Sequence, residues 1–188
     1  MKKIRTFIAI YPTQQNRKKV FDFASTLSEN FDSLKTVNQE NIHLTLKFLG
    51  QMDIENTSEV SKKIEECCTS ANNFDIEVRG AGAFPNTTRP RTIWVAVKEE
   101  TGQLTSLQKN IDTTIATLGF KREKRLWSPH ITIGRIRKPT INEPLAAKIE
   151  SAADKLFFTE QVNAIHFFMS ELLPTGPKYT TLGVFNVK

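Results

Sequence analysis

Apolar and polar positions follow two periodicities along the 188-residue chain. Helical spacing of apolar residues predicts four amphipathic helices, over 13–30, 57–68, 102–118 and 142–157. Alternating or continuous apolar runs rich in β-branched and aromatic residues predict strands over 5–11, 41–50, 74–80, 91–98, 128–137, 162–172 and 179–187. The Gly, Pro and Asn content of 81–90 predicts a loop. The predicted order is therefore β-α-β-α-β-β-α-β-α-β-β.

This order can be divided into two similar halves. Each half offers a strand, a helix, a second strand, a second helix and a third strand, and no low-complexity linker separates them. The chain is long enough to bury a core and short enough to be one domain. We therefore expect a single α+β domain over residues 1–188, with two pseudo-symmetric lobes.

The second strand of each half opens with the same pattern. Residues 43–46 (HLTL) and 130–133 (HITI) both read His-apolar-Thr-apolar, in a chain with only three histidines. Because side chains alternate along a strand, the His and the Thr of each motif share a face. The four candidate side chains are His43, Thr45, His130 and Thr132. The third histidine, His166, lacks a Thr two residues later and is interpreted as structural.

Two imidazoles and two hydroxyls across a cleft would suit acid–base chemistry on a phosphodiester. Imidazole titrates at about pH 6.5, so one His can accept a proton from a nucleophile and the other can donate to a leaving group. The Thr hydroxyls can donate hydrogen bonds to the anionic oxygens between them. Zinc is the rival, but the motif strands bring no Asp, Glu or Cys alongside the histidines. With no glycine-rich phosphate loop either, we expect no metal and no cofactor.

Charge favours a polyanionic partner. Lys and Arg number 26 against 20 acidic residues, a net charge of +6, although a generally basic surface is an equal alternative. Basic clusters at 121–125 and 135–138 flank the second motif, which favours an anion site there. The only cysteines are neighbours, so no disulfide framework is expected. No apolar run approaches the roughly 20 residues of a membrane span, and we expect a cytoplasmic monomer without a membrane partner.

Four stretches resemble one family in detail. HLTLKFLG, FPNTTRPRTIWVAV, SPHITIGR and MSELLPTGPKYTTL resemble the RNA 2',3'-cyclic phosphodiesterase branch of the two-histidine (2H) phosphoesterases, a branch named for a 2'-5' RNA ligase activity. The resemblance covers nearly the whole chain. It implies two lobes of mainly antiparallel sheet with helices outside and the His strands facing a central cleft. It also implies metal-free hydrolysis of an RNA 2',3'-cyclic phosphate end to a 2'-phosphomonoester.

The resemblance also implies individual roles. His43 would be the general acid that protonates the departing 3' oxygen, and His130 would be the base that activates water. Thr45 and Thr132 would hold the nonbridging phosphate oxygens. Arg135 matches the basic phosphate-binding position of the family.

Strict alternation places Arg135 on the face opposite His130. A bulge at Gly134, or the end of the strand there, would turn Arg135 into the cleft, with Arg137 as the competing candidate. Further candidates for the cleft are Lys47, Phe48, Arg91 and Tyr179. Alternation places the first of these on the His43 face and the second in the core.

Two other classes of function stay open from sequence. The first is an RNA-binding protein that grips a terminal phosphate without turnover. The second is another reaction at the same site, either 2'-5' ligation, which uses the same acid and base in reverse, or hydrolysis of a small cyclic nucleotide. The basic clusters favour a polymeric substrate.

Overall fold

The computed structural model describes residues 2–29 and 31–188. Over these ranges the elements are, in chain order, β1 (Lys3–Ile10), α1 (Gln14–Ser28), β2 (Leu34–Thr36), β3 (Leu44–Asp53), α2 (Thr57–Thr69), β4 (Phe74–Phe84), β5 (Thr92–Lys98), α3 (Gln103–Ala116), β6 (His130–Ile136), α4 (Glu143–Ser151), β7 (Leu156–Val162), β8 (Ala164–Leu173) and β9 (Gly176–Asn186). Short 3₁₀ turns occupy Gln39–Asn41 and Ile54–Asn56. Among the helices of these ranges, none combines the length and apolarity needed to cross a bilayer.

The strands form one antiparallel sheet made of two halves. Its order is β7-β4-β5-β6-β3-β1-β8-β9, with the short β2 pairing to β6. The halves meet where β6 lies beside β3, and one bridged pair, Leu44 with Ile131, joins them there. We call this junction the seam. The predicted α+β fold with two lobes of antiparallel sheet is confirmed, and the seam is formed by the two motif strands.

The two faces of the sheet differ. All four helices contribute buried residues to one core cluster with Leu44, Leu46, Ile131 and Ile133 of the motif strands. The opposite face, which we call the open face, carries a second and smaller hydrophobic cluster around Phe7, Ala9 and Phe168. The helices thus cover one side of the sheet, as expected, and leave the other side accessible to a ligand.

Two predicted boundaries were wrong. The helix expected over 142–157 ends at Ser151, and residues 156–162 instead form β7 on the outer edge of β4. Phe157 and Phe158 both pack into the core from this strand, so tertiary pairing overrides the local helical spacing. The loop expected over 81–90 begins late, because β4 continues to Phe84.

A bulge in β3 reverses the expected positions of two residues. Ile8 of β1 pairs with Lys47 and Ala9 pairs with Thr45, so Leu46 has no partner across the ladder. Beyond this bulge Lys47 lies on the helix side, whereas Phe48 lies on the open face opposite Phe7. The alternation that placed Lys47 beside His43 and Phe48 in the core was therefore wrong for both.

Lys47 is the centre of a buried ion pair. It is only 6% exposed, and its Nζ lies 2.5 Å from Asp112 Oδ1 of α3 and 2.9 Å from the Lys121 carbonyl. Asp112 also accepts from the Glu123 amide and from Arg122 Nε. Burial raises the pKa of Asp112, but these hydrogen bonds, led by that of Lys47, lower it overall. The pair therefore joins β3 and α3 to the basic loop that precedes the second motif.

We expect Lys47→Ala to lower the free energy of unfolding by about 3–5 kcal/mol, because it leaves a buried carboxylate unpaired. Urea denaturation at pH 7 measures this loss. The matched control is Lys63→Ala, which removes an exposed helix pair with Glu66 and should leave the free energy of unfolding nearly unchanged. Equal losses in the two variants would show that the buried pair does not stabilise the fold.

Candidate active site

The seam places the four motif side chains on one face. Directly paired residues point to the same side of a sheet, so Leu44 and Ile131 both face the helices. Their chain neighbours point the other way. Continuing the antiparallel register by one residue sets His43 across from Thr132, and Thr45 across from His130. The structure thus brings the two predicted motifs together on the open face.

Each imidazole is held by a backbone carbonyl two residues upstream. His43 Nδ1 lies 2.7 Å from the Asn41 carbonyl, and His130 Nδ1 lies 2.8 Å from the Ser128 carbonyl. A carbonyl oxygen can only accept, so each Nδ1 carries the hydrogen. Within residues 2–29 and 31–188 neither Nε2 has a hydrogen-bond partner, so each can accept or donate a proton at the open face. The two histidines therefore share one tautomer, with the hydrogen on Nδ1. This tautomer leaves Nε2 of each ring for proton transfer, as a general acid and a general base require.

Aromatic rings flank both histidines. His43 lies 4.8 Å from Phe7 and 5.3 Å from Tyr179, measured between ring centroids. His130 lies 5.3 Å from Phe84 and 6.3 Å from Trp94. Tyr179 was a candidate cleft residue, and the structure places its ring at the edge of the His43 ring.

The surroundings of His43 favour its neutral form. Burial lowers the pKa of His43 to about 4, the bond to the Asn41 carbonyl opposes this, and the positive charge of Arg135 adds to the lowering. Because a pKa of about 4 lies well below neutrality, His43 is uncharged at pH 7 in the free protein. At neutral pH, a positive charge on His43 therefore requires a change in its surroundings that raises this pKa, such as the arrival of an anion.

A second bulge turns Arg135 toward the open face. Ile93 of β5 pairs with Gly134 and Trp94 pairs with Thr132, so Ile133 has no partner on β5. Arg135 then pairs with Thr92, on the same side as Thr132, and its Nη1 lies 3.4 Å from the Thr92 hydroxyl. The bulge that was expected at Gly134 is present, but it lies at Ile133, one residue earlier in the chain. It removes the conflict between alternation and a site role for Arg135.

The two bulges occupy the same place in the two motifs. In each, the unpaired residue directly follows the Thr, and the fifth residue after the His returns to the open face. In the first motif that residue is Phe48, which is 67% exposed with its ring 6.2 Å from Phe7. In the second motif it is Arg135. A bulge at the same position thus brings an aromatic ring to the open face in one half of the sheet and a guanidinium group in the other half.

The remaining candidates, Lys47 and Arg91, and the third histidine occupy other positions in the fold. Lys47, expected beside His43, is instead buried against Asp112 on the helix side. Arg91 lies just before β5, where its main chain bonds to Phe84 and Ile136 while the residue is exposed. His166 lies on β8, two strands from the seam, stacked on Phe168.

Sequence reasoning missed some residues of the site. Asn41 and Ser128 act through main-chain carbonyls, so their residue types carried no signal. Phe7 could have been found, because it alternates with Arg5 and Ala9 on the face of β1 opposite the core. Within the described ranges, no group of three or more His, Cys, Asp and Glu side chains is placed to hold a metal ion.

Comparison with known proteins agrees with this architecture. The model of the 2'-5' RNA ligase superfamily matches residues 15–170. The chain belongs to this superfamily. The resemblance found in the sequence is thereby confirmed, and the match includes both His-apolar-Thr-apolar motifs.

Relatives of this superfamily member align over almost the whole chain. Two proteins called RNA 2',3'-cyclic phosphodiesterase are similar to it. One, from Archaeoglobus fulgidus, is 34% identical over 97% of this chain and 99% of its own. The other, from Methanothermobacter thermautotrophicus, is 31% identical over 98% and 100%.

Solved structures show the same fold. The protein TT0787 of Thermus thermophilus superposes with a TM-score of 0.83, at 25% identity over 98% of each chain. E. coli LigT in its apo form gives a TM-score of 0.80, at 20% identity over 100% of this chain and 99% of its own.

We expect His43 to titrate with a pKa of about 4, and Arg135→Gln to raise that pKa, because the substitution removes a positive charge near a buried imidazole. Histidine ring resonances followed by NMR from pH 3 to 8 would measure both values. The control is Arg137→Gln, two residues farther along the chain. A His43 pKa of about 6.5 in the parent protein, or equal effects of the two variants, would contradict this picture of the site.

Proposed function

We propose that this protein hydrolyses the 2',3'-cyclic phosphate at an RNA end to a 2'-phosphomonoester, without a metal ion. The observation that carries the proposal is the pair of imidazoles on one face of the seam, each with Nδ1 bonded to a carbonyl and with no bond to Nε2 from the described part of the chain. The full-length relatives called RNA 2',3'-cyclic phosphodiesterase support the choice of substrate. E. coli LigT has also been crystallised with phosphate and with 3'-AMP.

The reaction assigns one role to each histidine. His130 Nε2 accepts a proton from water as the water oxygen forms a bond to phosphorus. The bond between phosphorus and the 3' oxygen breaks, and His43 Nε2 donates a proton to that oxygen. The bond to the 2' oxygen survives, so the product is a 2'-phosphomonoester. Thr45 and Thr132 donate hydrogen bonds to the nonbridging oxygens, and Arg135 balances their charge.

The low pKa of His43 fits an acid that is charged only with substrate bound. In the empty site, burial and the charge of Arg135 both oppose protonation of His43. A phosphate anion placed between them pairs with Arg135 and attracts a proton to His43, so its pKa rises. The substrate thereby helps to produce the acid that its own leaving group needs.

The open face also offers contacts to the rest of an RNA end. Phe48 exposes an aromatic ring next to Phe7, which itself touches His43. We assign Phe48 to stacking on an RNA base, since base stacking is tolerant of sequence. The basic loop at 121–125 leads into the second motif and supplies positive charge for the phosphate backbone.

The proposal predicts that a short RNA with a 2',3'-cyclic phosphate is converted to a 2'-phosphate in the presence of EDTA. Chromatography against 2'- and 3'-phosphate standards identifies the product. His43→Ala or His130→Ala should lower kcat/KM by about 100-fold or more, the usual cost of a lost acid or base. The control, His166→Gln, changes a histidine outside the seam and should retain activity.

Other outcomes of this assay would favour a different reaction or a binding function without turnover. A 3'-phosphate would reverse which oxygen leaves and exchange the assigned roles. Binding of the cyclic end without product would make the protein an RNA-end binder. Turnover only after divalent metal is added would contradict the metal-free mechanism. Equal kcat/KM on a cyclic mononucleotide would make a small nucleotide the substrate, and joining of ends in place of hydrolysis would indicate ligation.

We expect Phe48→Ala to weaken the binding of an RNA oligonucleotide by about 5- to 150-fold, equivalent to the roughly 1–3 kcal/mol of one base stacked on an aromatic ring. Fluorescence anisotropy with a labelled cyclic-phosphate oligonucleotide measures the dissociation constant. Ile141→Ala is the control, because Ile141 is 70% exposed, about as much as Phe48, and lies in the connection before α4. Equal affinities in the two variants would remove Phe48 from the RNA site.

A further inference from the structure

The short strand β2 brings a lysine to the open face. Lys35 of β2 pairs with Arg135 of β6, and Arg135 pairs in turn with Thr92 of β5. Directly paired residues share a face of the sheet. The chain neighbours Leu34 and Ile93 are buried in the core cluster that the helices share, so the three paired residues face the other way. We call these three residues the Lys35 row.

The two cations of the Lys35 row repel each other. Lys35 and Arg135 are both exposed, and their side chains start from directly paired positions of two antiparallel strands. In the part of the chain that the structure describes, neither forms an ion pair with an acidic side chain. Like charges directly opposite each other destabilise a sheet. An anion bound between them would replace this repulsion by attraction to both cations.

The Lys35 row lies close to the motif side chains. Thr92, in this row, is two residues before Trp94, which pairs with Thr132. The extended register of the seam places His43 across from Thr132. Since a strand rises by about 3.3 Å per residue, the Lys35 row lies about 7 Å along the sheet from the row of His43 and Thr132. An anion at Lys35 would therefore neighbour a phosphate held between the two histidines without being the same group.

An RNA end carries a second anion of this kind. The leaving 3' oxygen is bonded to a ribose carbon whose neighbour, C4', carries the 5' carbon and the phosphate of the preceding linkage. Because attack and departure are in line, the 3' oxygen lies on the side of His43 and the water on the side of His130. Lys35 lies on the His43 side as well, since β2 and β3 pair with the same edge of β6.

We propose that Lys35 forms a second phosphate subsite, which binds the phosphodiester that joins the terminal nucleotide to the rest of the RNA. Arg135 is assigned to the cyclic phosphate, so Lys35 is the cation of the row that remains for this group. The subsite rests on the proposed function, because that reaction fixes the side on which the ribose lies. It makes an RNA chain the preferred substrate class, since a cyclic mononucleotide has no phosphodiester to place there. A contact to phosphate alone accepts any base sequence.

The test compares two substrates, of which only one has this phosphodiester. They are adenosine 2',3'-cyclic phosphate and the dinucleotide ApA with a 2',3'-cyclic phosphate end. Lys35→Gln should lower kcat/KM for the dinucleotide by about 5-fold, the effect of one exposed charge pair. The value for the mononucleotide should stay unchanged, which also reports an intact seam.

Two control variants separate this contact from a general effect of charge. Lys35→Arg keeps the positive charge and should retain the parent ratio of the two kcat/KM values. Lys19→Gln removes one positive charge from an exposed position of α1, on the helix side of the sheet, and should alter neither value.

Two further measurements distinguish a phosphate contact from a structural role. For a single-stranded RNA with a cyclic phosphate end, the slope of log affinity against log salt should become shallower by about 0.7 in Lys35→Gln, the share of one phosphate contact. The free energy of unfolding of the unliganded variant, measured in urea, should not fall, because the substitution removes a like-charge pair. A loss of stability would show that Lys35 supports the fold and would count against the subsite.

Product-like probes test the subsite without turnover. Adenosine 2'-monophosphate has one phosphate, and adenosine 2',5'-bisphosphate adds a second at the 5' oxygen. In isothermal titration the parent protein should bind the bisphosphate about 5-fold more tightly, and Lys35→Gln should abolish that preference. Lys19→Gln should preserve it.

Three results would overturn the proposal. One is a dinucleotide-to-mononucleotide ratio that survives Lys35→Gln, and another is an equal loss in Lys19→Gln. The third is a lost preference for the bisphosphate with an unaffected dinucleotide, which would make the ligand a 5'-phosphomonoester in place of an RNA chain. Hydrolysis of both substrates with an unchanged ratio would remove the subsite and keep the reaction. Selective loss of bisphosphate binding in a protein that hydrolyses no cyclic end would keep the subsite and remove the reaction.

Discussion

The pairing of Leu44 with Ile131 is the contact on which the site depends. Both side chains are almost completely buried beneath the helices, which fixes the register of two strands that are joined at this one pair. A shift of one residue would turn each imidazole into the core and each of these aliphatic side chains toward solvent. The hydrophobic effect therefore positions the polar groups of the site, although none of those groups belongs to the core.

The bulges extend this constraint by two further residues. A regular strand would place every second residue after His43 and His130 on the open face. The unpaired Leu46 and Ile133 break that rule at matching positions, which brings out Phe48 and Arg135 and sends Lys47 inward to Asp112. The bulge at Leu46 thus places Phe48 at the site, and it also places Lys47 where it bonds to Asp112 and to the loop before the second motif.

The periodicity of apolar residues was sufficient to locate an element wherever the same spacing holds over the whole helix or strand. It located four helices, the principal strands and the repeated motif, because burial imposes a regular spacing on each. It failed at β7, where pairing with β4 outweighs helical spacing, and at Lys47 and Phe48, where a single unpaired residue inverts the pattern. A cavity of about 320 Å³ that includes Asn41 and Tyr179 in its lining was out of reach, since a turn and a hairpin distant in sequence form it.

The proposed reaction needs two inequivalent histidines from a pseudo-symmetric frame, since one of them must act as the acid and the other as the base. The backbone treats them alike, with one carbonyl bond to each Nδ1. The difference comes from the surrounding side chains. Phe7 and Tyr179 pack against His43, and the positive charge of Arg135, which belongs to the other half, lowers the pKa of His43 further. In the proposed reaction that cation also pairs with the phosphate anion, so substrate binding would reverse its effect on His43 and leave the rest of the frame unchanged.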